Sequence, residues 1–213
     1  MNESPDVSIC AKGGGSVDES QGYEGAAEAF MGIRSASRIG VATVREWMSD
    51  LPRGAAVLDL GCGGGGPISE VLIEVGNRVY GVDASPRMVA MFRARFPGVP
   101  VECETIERST LFERRFDGVV AWGLMFLLPA RTQELVIHKV ARALREGGRF
   151  LFTAPSQVCE WEDVLTSARS VSLGSDAYRS LLEEAGLVLV DERQDEGENH
   201  YYLAVKPGVG PGR

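Results

Sequence analysis

Short apolar runs alternate with longer amphipathic segments along most of this 213-residue chain. A short apolar run that stops at turn residues is typical of a buried strand, whereas apolar positions three and four apart are typical of a helix. The runs predict five strands at residues 55–60, 78–82, 99–103, 116–122 and 149–154. The amphipathic segments predict helices at residues 23–48 (divided at Gly32 and Gly40), 67–75, 131–144 and 176–185, with another opening at Ser85-Pro86. This alternation predicts parallel strands with helices on both faces of the sheet.

Two further strands at residues 187–193 and 201–206 follow each other without a helix between them. A short connection of this kind joins antiparallel neighbours. The predicted fold class is therefore α/β, a mostly parallel sheet of seven strands with a C-terminal antiparallel hairpin and helices on both faces.

The two ends of the chain differ in composition from the segment between them. Residues 1–20 are rich in glycine and polar side chains, which predicts a disordered segment, and residues 207–213 are rich in proline and glycine, which predicts a flexible tail. Residues 21–206 are predicted to form a single domain. Residues 156–174 form an insert after the fifth strand and are a candidate lid over a substrate, because loops at this face carry specificity.

Composition and charge disfavour several classes of partner. The formal net charge is −8 without a dense basic run, which disfavours binding to nucleic acid or to an anionic membrane surface. The four cysteines have no paired zinc-ligand spacing, so no metal site is predicted, and their scatter favours reduced thiols and a cytoplasmic location. The N-terminal residues do not resemble a signal peptide, and no apolar run is long enough for a membrane span.

The most informative segment is Val-Leu-Asp-Leu-Gly-Cys-Gly-Gly-Gly-Gly at residues 57–66, where a strand runs into glycines and then a helix. Gly61, Gly63 and Gly66 match the dinucleotide pattern, and Asp83 follows at the separation of a ribose-binding carboxylate. Two ligands fit this arrangement, a nicotinamide dinucleotide and a cationic sulfonium compound. Asp59, two residues before the first glycine, favours the cation, because a carboxylate there would repel a pyrophosphate.

Four segments together resemble the class I S-adenosylmethionine-dependent methyltransferases. They are residues 57–63, residues 81–85 with Met88, residues 116–121 and residues 144–150, in the family's order and spacing. The resemblance covers roughly residues 25 to 206. It implies a Rossmann-like fold, S-adenosylmethionine as the cofactor and methyl transfer as the activity.

The resemblance also implies roles for individual residues. Asp59 orients the loop or meets the methionine end of the cofactor, Asp83 binds the ribose, and Ala84 and Met88 pack on the adenine. The remaining predicted cofactor-binding residues lie in the matched motifs or after the third strand, and they are Gly61, Cys62, Gly63, Ser85, Glu104, Thr105 and Ala121.

The acceptor is expected beyond the end of the fourth strand, where Trp122 and Met125 stand in an apolar run that predicts a pocket wall or a buried helix start. Trp161 in the insert and Tyr23 near the N-terminus are further candidates. We expect a small-molecule acceptor that takes the methyl group on oxygen, nitrogen or sulfur, and a monomer or homodimer.

A general base is needed only if the acceptor must lose a proton. His200 beside Glu198 is the candidate pair, with a solvated hairpin tip as the alternative interpretation. Two other functions stay open at this point, an NAD(P)-dependent oxidoreductase and a non-catalytic cofactor-binding partner module.

Overall fold

The computed structural model describes residues 18–208, apart from the side chains of residues 35 and 36. The predicted disorder of residues 1–20 falls almost wholly outside the described residues, as does most of the predicted C-terminal tail. Asp18, Glu19 and Ser20 are described, and they approach the functional site.

Within residues 18–208, nine strands form two sheets. The strands are β1 Ala56–Leu60, β2 Arg78–Asp83, β3 Val101–Cys103, β4 Phe116–Ala121, β5 Leu144–Thr153, β6 Val158–Glu162, β7 Arg169–Leu173, β8 Val188–Gln194 and β9 His200–Val205. The main sheet has seven strands in the order β3-β2-β1-β4-β5-β9-β8. Pairs from β3 to β5 are parallel, and β9 is antiparallel to both β5 and β8. The predicted fold, with its terminal hairpin, is confirmed.

The described part of the chain has six α-helices, namely α1 Tyr23–Ala36, α2 Val41–Ser49, α3 Ile68–Glu74, α4 Pro86–Arg95, α5 Ala130–Ala143 and α6 Ser175–Glu184. Gly32 does not interrupt α1. Only Gly40 divides the N-terminal stretch, because its φ of 85° lies in the left-handed region, which breaks the helical path. None of the described helices is both long and apolar enough to cross a membrane.

The core lies on both faces of the main sheet. On one face α2 and α3 pack Val44, Trp47 and Leu72 against strand residues such as Val57. On the other face α5 and α6 pack their apolar stripes, whose fully buried members include Val136, Ile137, Val140, Tyr178 and Leu182. Burial on both faces explains why β1 is apolar at every position except Asp59.

The insert after β5 is an antiparallel hairpin, β6–β7, outside the main sheet. Its tip is a turn around Asp163, whose Oδ1 accepts hydrogen bonds from the backbone N–H groups of Leu165 and Thr166 at 3.0 and 2.9 Å. β5 also begins earlier than predicted, at Leu144, and its register with β4 shifts between Phe116 and Gly118. The hairpin places Asp163 near α1, at the edge of the functional site.

Candidate functional site

A cavity of about 560 Å³ opens at the carboxyl ends of the parallel strands. This is where ligands bind in open α/β sheets. The loops after β1 to β4 form its floor and walls, residues 18–34 cover it, and Asp163 of the β6–β7 hairpin lines it. Its lining includes Glu19, Tyr23, Arg34, Gly61, Gly63, Asp83, Ala84, Met88, Glu104, Thr105, Trp122 and Asp163.

The glycine loop lines the cavity with backbone atoms, because Gly61 and Gly63 have no side chains. Gly61 and Gly63 have φ values of +68° and +53°, which residues with a Cβ atom rarely adopt. A Cβ atom on Gly61 would lie 3.0 Å from the side chain of Leu124. The loop is tied to β2, since the N–H of Gly61 donates to the carbonyl of Val82 at 2.8 Å. These contacts explain the glycines at both positions.

The glycines that follow serve packing. A Cβ atom on Gly64 would lie 2.8 Å from Met31, one on Gly65 would lie 2.4 Å from the ring of Phe96, and one on Gly66 would lie 2.3 Å from the guanidinium of Arg95. α1 and the end of α4 therefore approach the loop backbone more closely than any side chain there would allow.

Asp83 closes the loop from β2. Its Oδ2 accepts a hydrogen bond from the N–H of Gly63 at 2.8 Å, and its Oδ1 accepts one from the N–H of Ser85 at 2.9 Å. Burial raises the pKa of this carboxyl and the charge of Glu24 adds to the rise, while the two backbone hydrogen bonds act against it. Each carboxylate oxygen has a second lone pair. Asp83 can therefore accept hydrogen bonds from two ligand hydroxyls while it holds the loop.

Asp59 lies beneath the loop and does not line the cavity. It is only 2% exposed, and its Oδ2 accepts a hydrogen bond from the hydroxyl of Ser69 at 2.5 Å. Burial raises the pKa of Asp59 to about 7, with a further rise from Asp83, while the Ser69 hydroxyl lowers it. Of its two expected roles, the structure is compatible with orientation of the loop.

Three other predicted cofactor-binding residues support the cavity from behind. Cys62 is buried with its sulfur beside Gly81, and Ala121 is buried in β4. Ser85 caps α4, accepting a hydrogen bond from the N–H of Met88 at 3.1 Å. Its hydroxyl donates to Glu24 at 2.6 Å, which fixes α1 to the start of α4.

The loop after β3 lines the opposite side. Glu104 Oε1 accepts hydrogen bonds from the N–H of Thr105 at 2.9 Å and from Nε of Arg108 at 2.8 Å. Arg108 also donates to Glu19 at 2.7 Å. The N-terminal segment is thereby joined to the rim beside Ala84, Met88 and Glu104, where the resemblance places the adenine.

Trp122, directly after β4, lines the cavity. The guanidinium carbon of Arg34 lies 3.9 Å from the centroid of its ring. Arg34 is only 8% exposed, and within the described chain its Nη2 has no hydrogen-bond partner. A buried guanidinium nitrogen without an acceptor at a cavity wall is a position where an anionic ligand group would be stabilised.

The other predicted substrate residues are placed differently. Met125 is fully buried in the core and does not line the cavity, because the 3-10 turn at residues 125–127 directs it inward. Trp161 packs on Phe126, a lining residue, with ring centroids 5.4 Å apart, and thus lies behind the wall. Tyr23 lines the cavity, and its hydroxyl donates to Asp163 at 3.3 Å.

The structure does not bring His200 and Glu198 together at the cavity. His200 Nε2 lies 2.9 Å from Oε2 of Glu192 on β8, and neither His200 nor Glu198 is a lining residue. Glu198 belongs to the turn between the strands, where its N–H donates to the carbonyl of Asp195. The predicted pairing is corrected, because the β8–β9 register places His200 on the same face as Glu192.

The sequence predicts that Tyr23, with nearby Arg34, either closes over the cofactor or has a core or helix-cap role, and it places Asp163 in the candidate lid. It does not specify the contact of Arg34 with Trp122 or that of Tyr23 with Asp163. Both contacts follow from the packing of α1 and of the β6–β7 hairpin, which no local pattern specifies. Among the described residues, no group of three His, Cys, Asp or Glu side chains is arranged to hold a metal ion.

Comparison with known proteins identifies the family. Residues 57–148 match the family model described as Methyltransferase domain. The chain is 31% identical over 163 residues to the methyltransferase GfsG of Streptomyces halstedii, an alignment that covers 67% of this chain and 56% of the relative. It is 28% identical over 193 residues to the sarcosine/dimethylglycine N-methyltransferase of Aphanothece halophytica, covering 79% and 64%. The chain therefore spans less than two thirds of the length of either relative.

The fold is shared with solved structures of the same kind. The 1,6-didemethyltoxoflavin-N1-methyltransferase of Burkholderia thailandensis, crystallised with 1,6-didemethyltoxoflavin and S-adenosylhomocysteine, superposes with a TM-score of 0.66 at 19% identity, covering 92% of this chain and 93% of that one. The signature motifs, the seven-stranded sheet and these matches agree. Residues 57–148 therefore form a methyltransferase domain, and the chain is similar in its motifs and its sheet to the class I S-adenosylmethionine-dependent methyltransferases.

Proposed function

We propose that this chain transfers a methyl group from S-adenosylmethionine to a small-molecule acceptor within the cavity at the carboxyl edge of the sheet. One observation carries the proposal. A single cavity of about 560 Å³ joins the glycine loop and Asp83 to an aromatic and aliphatic wall after β4. Its volume lies within the range of small-molecule sites, roughly 300–1,000 Å³.

The cofactor half of the cavity fits the groups of S-adenosylmethionine one by one. Asp83 offers acceptors for ribose hydroxyls, and Ala84 and Met88 offer an apolar surface for the adenine. The unpartnered Nη2 of Arg34 fits a carboxylate, such as that of the methionine end. Gly61 and Gly63 leave space where a side chain would block the ligand.

The acceptor half is apolar. Leu124, Phe126, Leu127 and Leu128 line it together with Trp122. Walls of this composition recognise apolar or aromatic molecules and exclude water. The Burkholderia neighbour was crystallised with bound 1,6-didemethyltoxoflavin, and other relatives are named as ubiquinone biosynthesis O-methyltransferases. These names describe those proteins, and they support a small-molecule acceptor here.

When bound, S-adenosylmethionine supplies a methyl group activated on a sulfonium. The protein residues then have to align the acceptor and keep water out, and alignment alone can lower a barrier by about 7–11 kcal/mol. Tyr23 and Asp163 form a hydrogen-bonded polar pair that lines the same cavity. Burial and Asp163 raise the pKa of the Tyr23 phenol, so the hydroxyl stays protonated and donates. We assign the pair to orientation and closure.

Calorimetric titration with S-adenosylmethionine, S-adenosylhomocysteine and NADPH tests the cofactor half. We expect micromolar binding of the two adenosyl compounds, no binding of NADPH, and a large loss of affinity in Asp83→Asn. Glu183→Gln, at an exposed position of α6, is the matched charge control and should bind as the wild type does. Binding of NADPH alone would restore the oxidoreductase interpretation.

Transfer is tested with S-adenosylmethionine labelled on the methyl group and a panel of small aromatic and aliphatic alcohols, amines and thiols. We expect label in at least one low-molecular-weight product, with release of S-adenosylhomocysteine. Cofactor binding without transfer to any member, together with transfer to a protein or nucleic acid in a cell extract, would overturn the small-molecule assignment.

A further inference from the structure

A chain of partly buried contacts leads from the cavity to the loop between β8 and β9. Arg34 stacks on Trp122 at 3.9 Å. The Nε1–H of Trp122 donates to the hydroxyl oxygen of Tyr201 at 2.7 Å. The Tyr201 hydroxyl in turn donates to Oδ2 of Asp195 at 2.6 Å. We call these four residues the relay, and Asp195 is its end farthest from the cavity.

Asp195 is held rigidly and keeps its charge. Its Oδ1 accepts hydrogen bonds from the backbone N–H groups of Gly197 and Asn199, both at 2.9 Å, and from the amide of Asn199 at 3.0 Å. Burial raises the pKa of Asp195, but the hydrogen bonds from Tyr201, Asn199 and Gly197 outweigh it, so the pKa lies below its ordinary value. A carboxylate is therefore present at the outer end of the relay at neutral pH.

The backbone around the relay leaves no space for rearrangement. A Cβ atom on Gly40 would lie 2.6 Å from Nε1 of Trp122 and 2.7 Å from the hydroxyl of Tyr201. A Cβ atom on Gly197 would lie 2.6 Å from Ile39. The α1–α2 connection therefore packs directly on the central hydrogen bond and on the loop that carries Asp195.

Arg34 needs such support because its own surroundings poorly compensate the burial of its guanidinium. Burial lowers its pKa, and Tyr201 and Asp195 are the groups that act against the lowering. One hydrogen bond of its guanidinium within the described chain is long, from Nη1 to Ser37 at 3.5 Å. The ring of Trp122 is its stacking partner, with the guanidinium carbon 3.9 Å from the ring centroid.

We propose that Asp195 and Tyr201 are positioning residues that act through Trp122 to hold Arg34 against the cavity for a ligand carboxylate. An indole whose N–H donates to a hydrogen-bonded, carboxylate-polarised oxygen has a more electron-rich face, and a cation over that face is held more strongly. The inference rests on the proposed function, since it assigns the carboxylate of the bound cofactor to Arg34.

The role assigned to this loop differs from the catalytic and solvated-tip interpretations of the sequence. Asp195 would touch neither cofactor nor acceptor. Its effect should appear in cofactor affinity and in the environment of the Trp122 indole, and it should vanish when Arg34 is absent.

The variants for the test are Asp195→Asn, Arg34→Met, their double mutant and Glu196→Gln. Asn at 195 retains an oxygen that can accept from Tyr201 and removes the charge. Glu196→Gln removes a charge from an exposed neighbour in the same loop and is the matched control. S-adenosylhomocysteine affinity is measured by calorimetry, and the indole N–H resonances of the tryptophans are followed by NMR.

We expect Asp195→Asn to weaken S-adenosylhomocysteine binding roughly fivefold, in line with the strength of a partly desolvated cation–π contact. In the Arg34→Met background the same substitution should change affinity by less than about twofold, because the residue it supports is gone. The Trp122 resonance should move upfield in Asp195→Asn. That of Trp47, whose buried Nε1 has no partner within the described chain, should stay in place, and Glu196→Gln should change neither quantity.

An equal loss of affinity from Asp195→Asn with and without Arg34 would overturn the relay and leave a general effect on folding. Unchanged affinity in Asp195→Asn, with normal binding by the wild type, would overturn the relay and leave the proposed function intact. Failure of the wild type to bind S-adenosylhomocysteine would overturn both.

Discussion

The Ser69 hydroxyl lies 2.5 Å from Oδ2 of Asp59, and this hydrogen bond is the protein's compensation for a carboxyl group buried beneath the glycine loop. Asp59 stands in the middle of an otherwise apolar strand and is 2% exposed. Burial raises its pKa from 3.8 to about 7 despite the hydroxyl. At neutral pH the folded chain therefore holds Asp59 only partly ionised, and burial of the charged form costs stability.

The first prediction concerns this cost. Well below pH 3.8 Asp59 is protonated in both the folded and the unfolded chain, so its ionisation does not change the free energy of unfolding. As the pH rises the unfolded chain ionises first, so unfolding becomes easier until the folded pKa, about 7, is passed. Asp59→Asn removes this ionisation. Relative to the wild type, its free energy of unfolding should gain roughly 2–3 kcal/mol between pH 5 and pH 8, measured by urea denaturation.

Asp117→Asn is the matched control with the opposite sign. Burial alone would raise the pKa of Asp117, but hydrogen bonds from Arg145 and from the N–H of Ala56 lower it below its ordinary value. Its contribution is present above the unfolded pKa and lost in acid, so this variant should be destabilised about equally at pH 5 and pH 8. If the difference in free energy of unfolding between the wild type and Asp59→Asn does not vary with pH, the raised pKa assigned to Asp59 is contradicted.

The second prediction concerns Gly40. An alanine at position 40 would have to adopt a φ of +85°. Its Cβ atom would lie 2.6 Å from Nε1 of Trp122 and 2.7 Å from the hydroxyl of Tyr201. Gly40→Ala should lower the free energy of unfolding by about 1–3 kcal/mol through overpacking and should weaken S-adenosylhomocysteine binding. Chemical denaturation and calorimetry measure the two effects.

Gly32→Ala provides the comparison for that experiment. Gly32 lies inside α1, and a Cβ atom added there would meet no other atom of the described chain within 4 Å. Alanine at this position should therefore stabilise the helix by about 0.4–1 kcal/mol. Equal effects of the two substitutions would mean that the close approach at Gly40 does not matter.

Much of the fold and half of the site follow from local sequence. The apolar run that ends at Gly61, the carboxylate at the end of β2 and the terminal hairpin are each specified by neighbouring residues, because strand burial, glycine backbone freedom and short connections are local properties. They also define the cofactor half of the cavity.

The rest depends on contacts between distant segments. Tyr23 and Asp163 are 140 residues apart in sequence. Arg34 reaches Trp122 only because α1 lies across the carboxyl edge of the sheet. Proximity in sequence favours Glu198 as the partner of His200. The strand register instead pairs His200 with Gln194, which places Glu192 diagonally opposite on the same face, within hydrogen-bond distance. Such contacts need the packing of whole elements, which apolar periodicity does not encode.

The third prediction concerns the contact between α1 and the β6–β7 hairpin. Tyr23→Phe removes the hydroxyl that donates to Asp163 at 3.3 Å but keeps the ring, which packs edge-on against Phe30 at 5.1 Å. Loss of one partly buried hydrogen bond should speed the dissociation of S-adenosylhomocysteine by roughly 2- to 10-fold. Stopped-flow fluorescence measures this rate.

Tyr80→Phe is the control for the loss of a phenol. The Tyr80 hydroxyl accepts a hydrogen bond from Arg114 at 2.5 Å, and Tyr80 does not line the cavity. The rate at which S-adenosylhomocysteine dissociates from Tyr80→Phe should match the rate for the wild type. If Tyr23→Phe also releases ligand at the wild-type rate, the contact with Asp163 does not keep the cavity closed.

The fourth prediction decides whether the histidine of the β8–β9 hairpin takes part in catalysis. His200 is bonded to Glu192, which also accepts hydrogen bonds from Ser175 and Arg179 at 2.9 and 2.8 Å. His200→Asn should therefore lower the free energy of unfolding by about 1 kcal/mol, the worth of a typical hydrogen bond, while kcat and KM for a working acceptor change by less than about twofold. Glu198→Gln, in the exposed turn, should change stability by less than about 0.5 kcal/mol.

A fall in kcat of more than about 100-fold in His200→Asn, with stability retained, is the signature of a lost general base. Such a fall would mean that the β8–β9 hairpin moves toward the cavity during the reaction. That movement would break the hydrogen bond between His200 and Glu192, on which the predicted loss of stability depends.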